Sequence, residues 1–255
     1  MGTVVSLAVP AGPATAPQAA VDELEAAIAV VEQLFNRLDR TFSLYRPDSE
    51  ASAMARAELA LPDASADMRR LYVEASEWRT LTEGTFTAER PDGVVDLAGI
   101  VKGHAIREAG TSLLALGLTD WCLNAGGDVL VDGSPTPGGA RPWLAGIVDP
   151  ADRTTLLAAF PLGSKRALAT SGTTERGHHI WSAGLQTERA EGFRQVSVAA
   201  ADIVTADVLA TAIMAGGART LALATDRWDV DVLAVKNDGG LLATPGFRNP
   251  AARAG

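Results

Sequence analysis

At Gly117 the hydrophobic rhythm of the chain changes, and that change limits the folds open to it. Upstream, apolar residues recur at helical spacing. Val21, Leu24, Ile28, Val31, Phe35 and Leu38 fall three and four apart and define one helical face. Met68, Leu71, Ala75 and Trp78 predict a second amphipathic helix ending near Gly84. A third is expected from about Gly99 towards Gly117, where glycine suits a C-terminal stop. Downstream, short apolar runs lie between turn residues: Trp121–Leu123, Val129–Val131, Trp143–Val148, Leu156–Phe160, Ala167–Thr170, His179–Ser182 and Gln195–Ala199. These predict strands, as does Val4–Val9 near the start. A helix fits Ala206–Ala215, closed by Gly216-Gly217. Two last strands, Val230–Val235 and Leu241–Thr244, flank the turn Asn237-Asp238-Gly239-Gly240. Helices gathered early and strands gathered late predict an α+β fold. No repeat and no long linker divides the 255 residues, so one domain over 1–255 is expected.

The charge balance narrows the partners. A formal net charge of -9 argues against nonspecific binding to nucleic acid. Cys122 is the only cysteine, which excludes an internal disulfide and cysteine-rich zinc sites. It is expected to be a buried structural thiol. No apolar run approaches the roughly 20 residues that span a bilayer. The first residues, Met1 to Ser6, lack the basic-then-apolar layout of a signal peptide. The chain as given is therefore expected in the cytoplasm.

Four stretches carry chemistry. Val95-Asp96-Leu97-Ala98-Gly99-Ile100-Val101-Lys102-Gly103 sets a carboxylate and an ammonium six residues apart around glycines, at a predicted helix entry. A helix start presents N–H groups to an anion, and a lysine there can neutralise phosphate. Asn124-Ala125-Gly126-Gly127-Asp128 lies between two predicted strands. It fits a tight turn equally well as bare backbone against a flat ligand. Thr170-Ser171-Gly172 leads into a segment holding two of the three histidines, His178 and His179. This is either a polar loop or a site in which one imidazole moves a proton. Asp207 and Thr211 stand four apart, so a helix brings both oxygens to one face. They could share a hard cation such as Mg²⁺. Alternatively, Asp207 answers the helix dipole and Thr211 bonds back to the helix.

In this order, the stretches resemble the ApbE-type flavin transferases, FAD:protein FMN transferases. The matching pieces are Met1-Gly2-Thr3, Phe42-Ser43-Leu44-Tyr45 with Ser49-Glu50-Ala51-Ser52, Gly84-Thr85-Phe86, Asp96 to Gly103, Asn124 to Asp128, Gly146 to Pro150, Thr170-Ser171-Gly172, His178-His179-Ile180, and Ala206 to Thr211. The resemblance implies a T-fold-related arrangement of mixed helices and antiparallel sheet. It implies that FAD is split, with Mg²⁺, into AMP and an FMN group esterified to a threonine or serine of a flavin-acceptor protein. Asp96 and Lys102 would contact FAD, and Met1 and Tyr45 would line the flavin or adenine pocket. Thr85, Phe86, Thr87 and Ile180 would lie along the cofactor. Gly99, through its carbonyl, would hold the metal with Asp207 and Thr211, and His179 would stand near the reacting phosphate. Thr87 replaces the family's usual Asp, and the segment from there to Asp96 is short. An FAD store or sensor without transfer, and an Mg²⁺-dependent FAD pyrophosphatase, are the alternatives.

Overall fold

The computed structural model describes residues 3–11, 17–172 and 192–248. Its centre is a seven-stranded antiparallel sheet in the order β1 (Val5–Ala8), β2 (Trp121–Ala125), β3 (Asp128–Asp132), β6 (Ala167–Gly172), β7 (Phe193–Ala200), β8 (Asp231–Lys236), β9 (Leu241–Ala243). A separate antiparallel pair joins β4 (Trp143–Val148) to β5 (Leu156–Leu162).

The sheet is buried on both faces, and its residues alternate between two cores. Leu130, Ala169, Val198 and Val232 face a helical layer. Val131, Leu168, Ala199 and Leu233 face the β4–β5 pair, where they meet Ala145, Ile147, Phe160 and Leu162. That pair is tied down by polar bonds as well. The Trp143 indole donates to the Asp132 carbonyl at 3.1 Å, and the Gln195 amide donates to the Val148 carbonyl at 3.0 Å.

The helical layer comprises α1 (Pro17–Phe42), α2 (Glu50–Ala55), α3 (Ala66–Leu81), α4 (Ala98–Ala115) and α5 (Ile203–Arg227), and a short α6 (Pro245–Arg248) ends the described chain. α5 lies on β6 and β7, α4 lies against α5, and α1 packs on α4. Charge stitches the outer helices. Arg37 on α1 reaches Asp67 on α3 at 2.6 Å and Glu108 on α4 at 2.8 Å.

The expected α3, with Met68, Leu71 and Ala75 buried, forms as its periodicity predicts. One expectation needs correction. In α1 the buried stripe is Ala27, Val31, Phe35, Leu38 and Phe42, whereas Val21 and Ile28 are 46% and 38% exposed. The first turns of α1 thus keep helical periodicity with less cover over them. The segment after Tyr45 is a turn followed by a helix: Ser49 caps α2, its hydroxyl accepting from the Ser52 amide at 3.0 Å and donating to the Ser43 carbonyl at 2.6 Å. Gly216-Gly217 closes the first helical run of α5, as expected. Gly217 adopts φ 64°, which glycine takes without strain, and the helix bends and resumes to Arg227. This full α5 has the length and apolarity of a membrane-crossing helix. Its packing against α4, β6 and β7 is that of a core helix. The predicted strand His179–Ser182 and the tail from 249 lie outside the described residues.

Candidate functional site

The site begins with two glycines on α4. A Cβ on Gly103 would stand 3.1 Å from the Val204 Cα and 3.2 Å from the Asp207 Cβ. A Cβ on Gly99 would stand 3.1 Å from the Phe86 ring and 4.0 Å from the Thr211 methyl. Bare backbone at these two positions, one turn apart, lets α4 and α5 approach closely. The approach puts a carboxylate of α5 against the backbone of α4: the Gly103 amide donates to Asp207 Oδ2 at 3.0 Å.

Lys102, between these glycines, turns its ammonium inward. Nζ pairs with Asp128 Oδ2 and lies 3.6 Å from Asp207 Oδ1. Asp128 and Asp207 are both fully buried. Burial of charge is costly unless the groups are paired and hydrogen-bonded, and here both conditions are met. Asp128 owes its place to the preceding turn. Gly126 and Gly127 take φ 62° and 93°, so β2 and β3 close in a two-residue turn whose handedness suits twisted strands. The Asn124 side chain accepts the Gly127 amide at 3.0 Å within it. Across the sheet, the Thr170 amide donates to Asp128 Oδ1 at 3.0 Å.

The neighbouring hydroxyls also converge. Thr211 Oγ1 on α5 and Ser171 Oγ on β6 are 3.2 Å apart. At the entry to α4, Asp96 Oδ1 accepts the Ala98 amide at 3.0 Å, and the Asp96 amide donates to the Ala88 carbonyl at 2.7 Å. The short segment from Thr87 therefore folds back as a turn, with Glu89 bridging Val95. Phe86 is 3% exposed and closes over Gly99. Thr85 approaches Gly216 at the bend of α5, and its hydroxyl donates to the Thr82 carbonyl at 2.8 Å. Thr87 is half-buried, and its hydroxyl accepts the Glu89 amide at 3.1 Å.

The structure thus brings together Lys102, Gly99, Asp207 and Thr211, with Asp96 at the same helix entry. Tyr45 is 82% exposed on the loop before α2. Met1, His179 and Ile180 lie outside the described residues. Asp128 was passed over as a site residue because Gly-Gly-Asp is satisfied by a turn alone. Its signal was a carboxylate immediately before the apolar run Val129–Val131. No group of three or more His, Cys, Asp or Glu side chains suited to a metal occurs among the described residues. A cation beside Asp207 would draw on hydroxyl, carbonyl and water oxygens as well as the carboxylate, a donor set of the hard kind that Mg²⁺ takes.

The chain matches the ApbE family model over residues 1–90 and 87–234. The two stretches meet where Thr87 enters the shortened turn. Over 177 residues the chain is 33% identical to a FAD:protein FMN transferase of Rhodobacter capsulatus, a match covering 66% of this chain and 33% of that protein. The chain thus spans about a third of the length of that curated relative. Among solved structures, the flavin transferase ApbE from Vibrio cholerae superposes with a TM-score of 0.73 at 21% identity, covering 97% of this chain and 96% of that one. The Pseudomonas stutzeri flavinyl transferase ApbE gives 0.71 at 19% identity, covering 98% and 97%. The ApbE protein of Thermotoga maritima gives 0.71 at 18% identity, covering 96% and 98%. These likenesses confirm the expected mixed fold of helices and antiparallel sheet, and with a family match running through nearly all of the described structure, this chain belongs to the ApbE family.

Proposed function

We propose that this chain transfers FMN from FAD to the hydroxyl of a threonine or serine on a flavin-acceptor protein, with Mg²⁺ as cofactor and AMP as the other product. Family membership and the named activity of the Rhodobacter relative support the reaction class. The observation that carries it in this chain is the convergence of Lys102, Asp128 and Asp207 beside the N-terminal turns of α4. A helix N-terminus attracts phosphate oxygens, and Asp96 fixes that turn by holding the Ala98 amide.

The donor set fits the metal. Asp207 offers a carboxylate, Thr211 a hydroxyl and Gly99 a carbonyl, from facing turns of two helices in close approach. The Gly103 amide is the one that the helical ladder directs to the Gly99 carbonyl. It also donates to Asp207, which sets that carboxylate beside the same turn of α4. Mg²⁺, when bound, would offset the pyrophosphate charge and make the phosphorus more open to attack.

The remaining work falls to the chain. Gly99 and Gly103 let α4 come close to Phe86 and α5, which sets Asp207 and Thr211 against the first turns of α4. Phe86 closes over Gly99 and excludes water from that side. The acceptor oxygen forms a bond to the FMN phosphorus, the bond to the AMP phosphate oxygen breaks, and the hydroxyl proton leaves. His179 is the candidate to take that proton.

The test is direct. Protein, FAD, Mg²⁺ and a flavin-acceptor domain should yield an acceptor heavier by one FMN less water, together with AMP. AMP without labelled acceptor, across several acceptor domains, would establish the pyrophosphatase instead. Retained FAD without AMP would establish a binding protein.

A further inference from the structure

Two carboxylates share one ammonium in this site, and they share it unequally. Lys102 Nζ is in direct contact with Asp128 Oδ2 but stands 3.6 Å from Asp207 Oδ1, beyond ordinary hydrogen-bond length. The inequality is built in. Asp128 sits on a rigid two-residue turn, is fully buried, and has its other oxygen fixed by the Thr170 amide at 3.0 Å. It cannot follow the lysine. Asp207 is held from the opposite side by the Gly103 amide at 3.0 Å through Oδ2, which leaves Oδ1 towards the lysine.

We propose that Asp128 is a positioning residue: it holds the Lys102 ammonium on itself and so keeps it off Asp207 Oδ1, the oxygen it would otherwise contest with a divalent cation. The idea rests on the reading above that Asp207 takes the cation. Without the Asp128 charge, the ammonium would close on the remaining carboxylate, where Coulomb attraction in a buried setting is strong. A cation would then have to displace it. Asp128 acts through Lys102 and is not itself a ligand.

The test reads metal binding, not turnover. Mn²⁺ is titrated into the protein without FAD or acceptor, and free Mn²⁺ is followed by its electron paramagnetic resonance signal. Asp128→Asn keeps an oxygen for the Thr170 amide and loses the charge. It should weaken Mn²⁺ binding about tenfold or more, the scale of a charge-assisted contact. In a Lys102→Met background the same change should alter affinity by less than about twofold, because an effect that passes through the ammonium is lost with it, the non-additivity of coupled residues. Equal affinity in parent and Asp128→Asn would overturn the proposal. An equal loss in both backgrounds would also overturn it, because the effect would then not pass through Lys102.

A measurement on the parent covers variants that fail to fold. The chain has three lysines, Lys102, Lys165 and Lys236, so the Nζ resonances are few. On adding Mg²⁺, the Lys102 resonance should stay that of a buried, ion-paired ammonium. Its transfer to rapid solvent exchange would overturn the idea. If the parent binds no Mn²⁺, this proposal and the metal reading fall together. Mn²⁺ binding with the expected variant pattern but no AMP would sink the transferase and leave Asp128's role standing.

Discussion

The Asp207 carboxylate accepts the Gly103 amide at 3.0 Å across 104 residues of chain. This bond joins the two helices at their closest approach, and it makes a candidate metal ligand part of the packing as well. Asp207 is fully buried, so it is not the surface-facing group that a ligand on a helix face usually is.

Asp207→Ala is therefore expected to fail twice. It should abolish Mg²⁺-dependent AMP release. It should also lower stability by about 1–3 kcal/mol, because a buried amide loses its acceptor. Asp207→Asn keeps an oxygen for that amide and should lose activity with less loss of stability. Urea unfolding beside an AMP assay separates the two effects. Parental activity in Asp207→Asn would remove the carboxylate from the metal site.

The two α4 glycines should respond differently to alanine. At Gly103 the new Cβ meets backbone and a Cβ at 3.1 and 3.2 Å, neither of which can turn away. Overpacking of this kind costs roughly 1–3 kcal/mol, more than the roughly 1 kcal/mol that alanine gains over glycine in a helix. At Gly99 the nearest atom, 3.1 Å away, belongs to the Phe86 ring, which can shift. Thermal or urea melts should rank the parent above Gly103→Ala, with Gly99→Ala closer to the parent than Gly103→Ala is.

Lys102→Ala should be costly to the fold as well as to FAD binding. Removing the ammonium leaves Asp128 and Asp207 buried without the charge that now stands between them. Breaking a buried pair from one side typically costs about 3–5 kcal/mol. FAD affinity should be titrated by fluorescence at a temperature where the variant is still folded. Unchanged stability and unchanged affinity together would place Lys102 outside the site.

His104 predicts an acid sensitivity. It is 2% exposed on α4. Its Nε2 lies 2.8 Å from Glu108 and 3.2 Å from Arg70, and Nδ1 lies 3.0 Å from Arg107. Burial holds the imidazole below its ordinary 6.5, against the pull of Glu108 and with help from Arg70 and Arg107. The neutral ring accepts from Arg107 at Nδ1 and donates to Glu108 from Nε2. Above pH 6.5 both folded and unfolded chains carry the neutral ring, and this group adds no pH dependence. As pH falls through 6.5 the unfolded chain takes up the proton first, so stability falls until the folded value is passed. Urea midpoints between pH 7 and pH 5 should drop more in the parent than in His104→Gln. Parallel curves would show that His104 protonates alike in both states.

Most of the framework was legible because its signals are local. The strand Trp143–Val148 begins and ends where its apolar run does. α4 stops before Gly117, whose φ of 87° suits glycine. The break at Gly217 was legible in its glycine pair, but the second helical run that follows directly to Arg227 was not, since the pair gives the same local signal whether the chain then leaves or turns. In the site, Gly99, Lys102, Asp207 and Thr211 were found through spacing and resemblance, and they do meet. Asp128 was not singled out because its role depends on Lys102, 26 positions earlier in sequence, and on the Thr170 amide, 42 later. Spacing along one element cannot report a contact made across three. Phe86 was expected along the cofactor, and the structure adds that its ring is packed on Gly99.

The turn that seats Asp128, the two helices and strand β6 lie far apart in the chain and come together in the native fold. The site is therefore a property of the folded chain, absent when these segments are apart. A molecule gripped there would bind the native state and have nothing to bind in the unfolded chain. Its binding energy would then raise the melting temperature of the whole protein in proportion to the logarithm of its concentration. Thermal shift, needing neither acceptor nor turnover, becomes a way to screen nucleotides and cations against this chain.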